Sequence, residues 1–111
     1  MQKLPKEIKV GGQIYQIIEK DRIKEDGIVS YGTHDGRQSK IWIASDVSQR
    51  QKETTLLHEI IESINFANQL ELKEQQIWIL ENNLYQVLKD NKLGFQDEND
   101  KEKIKNKSRE N

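Results

Sequence analysis

The chain has 111 residues, with 18 Lys or Arg against 19 Asp or Glu and a net charge of −1. No global basic field exists to draw nucleic acid or an anionic membrane. Cysteine is absent, which excludes a disulfide framework and a Cys-based zinc site and leaves His and carboxylates as the strong metal donors.

The first residues, MQKLPKEIKV, lack the apolar core of a signal peptide. No apolar run approaches the ~20 residues that span a bilayer. A cytoplasmic protein of one domain is expected, covering residues 1–95. Residues 96–111, QDENDKEKIKNKSREN, are almost wholly polar and read as a charged, disordered tail.

Residues 6–10 and 13–20 are two β-rich runs around Gly11-Gly12, a hairpin signal. Ile8 and Val10 alternate on one face, and Tyr15, Ile17 and Ile14 supply the partner strand. Residues 21–27 (DRIKEDG) are polar, end in glycine and read as a loop. Residues 28–31 (IVSY) make a third strand. Residues 33–38 (THDGRQ) follow, with a turn at Asp35-Gly36. Lys40–Ala44 (KIWIA) is a fourth strand, with Ile41 and Ile43 on one face and Trp42 on the other.

Ser48 with Gln51 three residues on fits a capping box, so a helix is expected over residues 49–68. Leu57, Ile60, Ile61 and Ile64 form its apolar stripe. A second helix over residues 72–91 carries Ile77, Leu80, Leu84, Val87 and Leu88, and Gly94 stands beyond its end. Strands followed by helices predict an α+β fold: a small antiparallel sheet of three to four strands packed on two helices.

The chemistry concentrates in TTLLHEIIESIN, residues 54–65. His58 and Glu62 are four apart, which puts both on one face of a helix about one turn apart. Glu59 is displaced further round, close enough to activate a water at the same site. A hydrolytic metal site needs three protein ligands, an open position and a carboxylate for the water's proton. Glu81 is the best third candidate. It sits among Ile77, Leu80, Leu84 and Leu88, where an unpaired carboxylate would cost several kcal/mol. Pairing with His58 or with a Lys or Arg, or a tilt to solvent, is the plain alternative. Trp42, Trp78 and Tyr85 read as packing residues, and His34 as a loop residue that approaches the site if its loop folds over it.

The spacing His58-Glu59-x-x-Glu62, then eighteen residues, then Glu81, resembles the gluzincin signature, HExxH followed by a glutamate on the next helix, with Glu62 in place of the second histidine. The runs LLHEIIESIN and LENNLYQVLKDN more closely resemble short phage and prophage proteins of a minigluzincin-like kind. That resemblance covers residues 4–91. It implies a zincin-like domain with His58, Glu62 and Glu81 as metal ligands and Glu59 as general base. It also implies that the edge strand beside the active-site helix, here Lys40–Ala44, holds an extended peptide. Zinc is the metal it implies, while one imidazole and two carboxylates make a harder donor set that suits Mn or Fe as well.

Two functions remain open on the sequence. One is a metal-dependent hydrolase, a metallopeptidase acting on a protein or peptide substrate. The other is a metal-free, catalytically decayed accessory protein that binds a host or phage protein. No helix carries a basic face interleaved with aromatics, so nucleic acid is not expected as a partner. Oligomeric state is not legible.

Overall fold

In a computed structural model of the chain, residues 4–25 and 28–95 are described. The expected tail, residues 96–111, lies outside them.

The fold is α+β, with a four-stranded mixed sheet and two helices. Strands β1 (Glu7–Val10) and β2 (Gln13–Lys20) form the expected hairpin, Val10 pairing with Gln13 across the glycine pair. Gly11 has φ 62°, the left-handed backbone that a two-residue hairpin loop demands and that glycine adopts without strain.

The next segment differs from the expected loop. Residues 21–27 contain strand β3 (Ile23–Glu25), which pairs antiparallel with β4 (Ile28–Ser30) as a separate two-stranded ribbon. The third strand therefore belongs to this ribbon and not to the main sheet. The place it was expected to fill goes to β5 (Gly32–Asp35), which covers the first half of the anticipated turn. The turn itself follows β5. The Asp35 carboxylate accepts from the backbone N–H groups of Arg37 and Gln38 at 2.8 and 3.3 Å, the local bonding that makes aspartate a turn residue.

Strand β6 (Lys40–Ala44) then runs back between β5 and β2, and the sheet order is β1-β2-β6-β5. β5 and β6 are antiparallel, but β2 and β6 are parallel. The all-antiparallel expectation is thus corrected at one pair. The ribbon and β5 together return the chain to the end where β2 began, so β6 enters alongside β2 in the same direction. β6 is central, so the open edge of the sheet on the helix side is β5, not the Lys40–Ala44 strand expected there.

Helix α1 (Gln49–Asn68) begins where expected, with Ser48 Oγ accepting from Gln51 N at 3.1 Å. The reciprocal half of the capping box is not formed, and the Gln51 amide donates instead to Thr55 Oγ1 at 2.9 Å. α1 is buried on two sides. Leu56 joins Leu4, Tyr15, Ile41 and Ile43 in the core against the sheet. Leu57 and Ile61 join Ile77 and Tyr85 in a second core against helix α2 (Glu74–Asp90). Of the expected α2 stripe only Ile77 is buried. Leu80, Leu84 and Val87 are 39, 41 and 42% exposed, and Tyr85 takes the central place. Among the described residues no helix is long and apolar enough to cross a membrane.

Candidate metal centre

The site lies where β5, α1 and α2 meet. Helical spacing delivers the first contact: His58 Nε2 is 3.2 Å from Glu62 Oε1, one turn along the same face. α2 crosses behind, and Glu81 Oε2 reaches His58 Nδ1 at 2.6 Å. Glu74, seven residues earlier on α2, stands 3.3 Å from His58 Nε2. The residues expected to share a site therefore converge, but on opposite nitrogens of one ring. Glu62 and Glu74 flank Nε2, and Glu81 holds Nδ1.

The second histidine comes from the sheet. Gly32 brings β5 against α1: a Cβ there would stand 2.5 Å from Thr55 Cγ2. Two residues on, and so on the same face of the strand, His34 directs Nδ1 to Glu59 Oε1 at 2.8 Å and to Glu62 Oε2 at 3.8 Å. His34 is therefore a strand residue in the site, where the sequence placed it in a loop. Glu59 is deeply buried, its side chain 6% exposed.

Electrostatics follow from this crowding. The hydrogen bond to Glu59 raises the His34 pKa against the opposing effect of burial. For His58, burial is the strongest single influence and acts downward. The hydrogen bond to Glu81 and the charges of Glu62, Glu81 and Glu59 outweigh it, and its pKa is also raised. Burial raises the Glu81 carboxyl, opposed by His58. Without a metal, the rings are held toward their protonated, doubly donating form.

Two groups in this cluster have the composition and spacing to hold a metal ion: His34, Glu59 and Glu62, and His58, Glu62 and Glu74. In each, the donor atoms lie within 4.8 Å of one another. With Nδ1–H donated to Glu81, His58 presents Nε2 as a ligand, the tautomer that a carboxylate behind a metal-bound histidine fixes. A cleft of about 490 Å³ opens onto the cluster. Its walls include Tyr31 and Gly32 on one side, Thr55, His58 and Glu59 on α1, and Glu74, Trp78 and Glu81 on α2.

No family model, curated protein or solved structure matches the chain. The site therefore rests on its own geometry. Glu74 is the donor that sequence reasoning missed. Its one signal was the seven-residue spacing to Glu81, which puts both on one face of α2 two turns apart. His34 had no signal beyond being the only other histidine.

Proposed function

We propose that the protein is a metal-dependent hydrolase, a metallopeptidase that takes an extended peptide along β5. One observation carries this reading: His58 Nε2, Glu62 and Glu74 converge at a point that opens into a cleft, with the Glu59 carboxylate beside it. In this arrangement Glu81 is the orienting partner of His58, and the third donor is Glu74. The sequence pattern supports the same reading, since His58-Glu59-x-x-Glu62 with Glu81 resembles the gluzincin signature.

When bound, a divalent ion supplies Lewis acidity for attack of water on an amide carbonyl. The chain supplies the rest. Glu59 takes the proton from the attacking water, and His34 holds Glu59 in place through the 2.8 Å bond. β5 is the last strand of the four-stranded sheet, so its outer edge is where a strand would add, displacing the Ser30 hydroxyl that there donates to the Gly32 carbonyl and accepts from the Gly32 N–H at 2.6 and 3.4 Å. Trp78, 60% exposed, flanks the same cleft. One imidazole with two carboxylates is a hard donor set that accepts Mn or Fe as well as Zn.

The test is metal analysis of protein purified without chelator, together with hydrolysis of an unfolded protein substrate. At least one divalent ion per chain is expected, with cleavage abolished by chelator and by Glu59→Gln. Metal-free protein whose melting temperature ignores added Zn or Mn would sink the proposal.

A second reading, a non-catalytic binding protein on the same scaffold, draws on the exposed apolar side chains of α2. Ile79 is 54% exposed and Leu84 and Val87 just over 40%, and exposed apolar surface is of the kind that partners cover. A stoichiometric, uncleaved complex formed equally well by wild type and Glu59→Gln favours it.

A further inference from the structure

Glu62 faces both histidines, and it does so with different oxygens. Oε1 is 3.2 Å from His58 Nε2, and Oε2 is 3.8 Å from His34 Nδ1. A carboxylate turned this way lies between two sites and not at the edge of one. Each of the two donor groups consists of one imidazole, one private carboxylate and this shared one: His58 with Glu74, and His34 with Glu59.

The charges point the same way. Glu59, Glu62, Glu74 and Glu81 are gathered around two rings, and among the described residues no Lys or Arg forms an ion pair with any of the four. Four carboxylates against two protonated rings leave the cluster with two negative charges in excess. One divalent ion with both rings neutral leaves the same excess. Two divalent ions with both rings neutral bring the cluster to zero. Of the four, Glu59 is the deeply buried one, its side chain 6% exposed, whereas Glu74 is 62% exposed and solvated, so an ion beside Glu59 relieves a desolvation cost that an ion beside Glu74 does not.

We propose that the cluster is a two-ion centre. A second divalent cation is held by His34 Nδ1, Glu59 and Glu62 Oε2, and Glu62 bridges it to the ion at His58, Glu62 Oε1 and Glu74. Bridged pairs in hydrolases stand about 3.5–4 Å apart and stabilise both the attacking and the leaving oxygen. The inference rests on the hydrolase reading for its first ion and goes beyond it in one respect: Glu59, whose Oε1 meets His34, would hold the second ion as well as serve the attacking water. It also gives His34, a residue outside the HEIIE segment, a ligand's role.

Isothermal titration of chelator-stripped full-length protein with MnCl2 tests the proposal, read as equivalents bound per chain. Two equivalents are expected for wild type and one for each of His34→Ala and Glu59→Gln. Circular dichroism confirms that each variant folds. Because either variant could disturb the fold, wild-type crystals soaked in Mn provide a second readout: two anomalous peaks about 3.5–4 Å apart, one beside each histidine. One equivalent in wild type, a single peak, or two equivalents retained by His34→Ala overturns the two-ion centre and leaves the hydrolase reading standing. No binding at all overturns both.

Discussion

Tyr85 and Glu53 show how one side chain ties α2 to α1. The Tyr85 hydroxyl donates to Glu53 Oε1 at 2.7 Å, and both residues are buried, at 4 and 2% exposure. Burial and the bond to Glu53 push the Tyr85 pKa up to about 12. The neutral phenol is therefore the form the fold favours. Its contribution is intact below the unfolded value near 10 and is lost as pH rises through about 12. Tyr85→Phe removes a donor from a buried carboxylate and is expected to cost about 1–3 kcal/mol at neutral pH. Urea midpoints of both proteins between neutral and alkaline pH check this, and the variant should show a shallower alkaline decline. The histidines give a second pH dependence. Both have raised pKa values without metal, so their contribution is full below about 6.5, the unfolded value, and is lost as pH rises through the folded values. Metal binding needs the neutral rings. Metal-free protein should melt at a lower temperature at pH 8 than at pH 6, and the rise in melting temperature on adding Mn should be larger at pH 8. An equal rise at both pH values would contradict histidine ligation.

At the scale of the element, β5 decides whether the site is complete. Gly32 lets it approach α1, since an added Cβ would stand 2.5 Å from Thr55 Cγ2 and 3.0 Å from the Trp42 carbonyl oxygen. Gly32→Ala is expected to destabilise by about 1–3 kcal/mol and to weaken metal binding, because His34 rides on the same strand. Thr55→Ser removes the methyl group in the way and should recover part of the loss, measured as a coupling energy in a double-mutant cycle. Additive losses would show that the Thr55 contact does not set the approach. β5 also marks the limit of what the sequence disclosed. GTHD has no apolar alternation and runs into Asp35-Gly36, so it reads as a turn. It is a strand because β6 supplies its backbone partners, a cause that lies elsewhere in the chain. The helices were legible for the opposite reason. α1 carries its own cap at Ser48 and an apolar stripe in which Leu57 and Ile61 are buried, although Ile64 is 40% exposed and the sheet-facing Leu56 lay outside the expected stripe, and Glu81 stood out as a carboxylate within an apolar face. The phase of α2 was misread because it packs through a narrow seam around Ile77 and Tyr85, and its other apolar residues stay exposed. Beyond the β1–β2 hairpin, which the glycine pair marks, strand order was not legible, since periodicity marks which residues face the core and not which strands are neighbours.

At the scale of the whole molecule, the chain has two cores of different kinds. The sheet and α1 share Leu4, Tyr15, Ile41, Ile43 and Leu56, with Ile41 fully buried. α2 is held to α1 by the smaller group of Leu57, Ile61, Ile77 and Tyr85. A helix docked through so few apolar side chains belongs to the low-stability end of a domain, where local opening is cheapest. The candidate donors span this weak junction, with His34 on β5, His58, Glu59 and Glu62 on α1, and Glu74 on α2, where Glu81 also holds the His58 ring. A bound ion therefore adds its free energy where the apolar core supplies least, about 2.7 kcal/mol at a free concentration of 100 times Kd. Hydrogen exchange resolves where that gain falls. In metal-free protein the α2 amides should exchange faster than those of α1 and of the paired β2 and β6. Saturation with Mn should slow α2 most, and the β1–β2 hairpin, which supplies no donor, least. A uniform slowing across all elements would mean that α2 opens only with the whole fold. No change in α2 would mean that Glu74 does not hold the ion, and the centre would have to close on α1 and β5 alone.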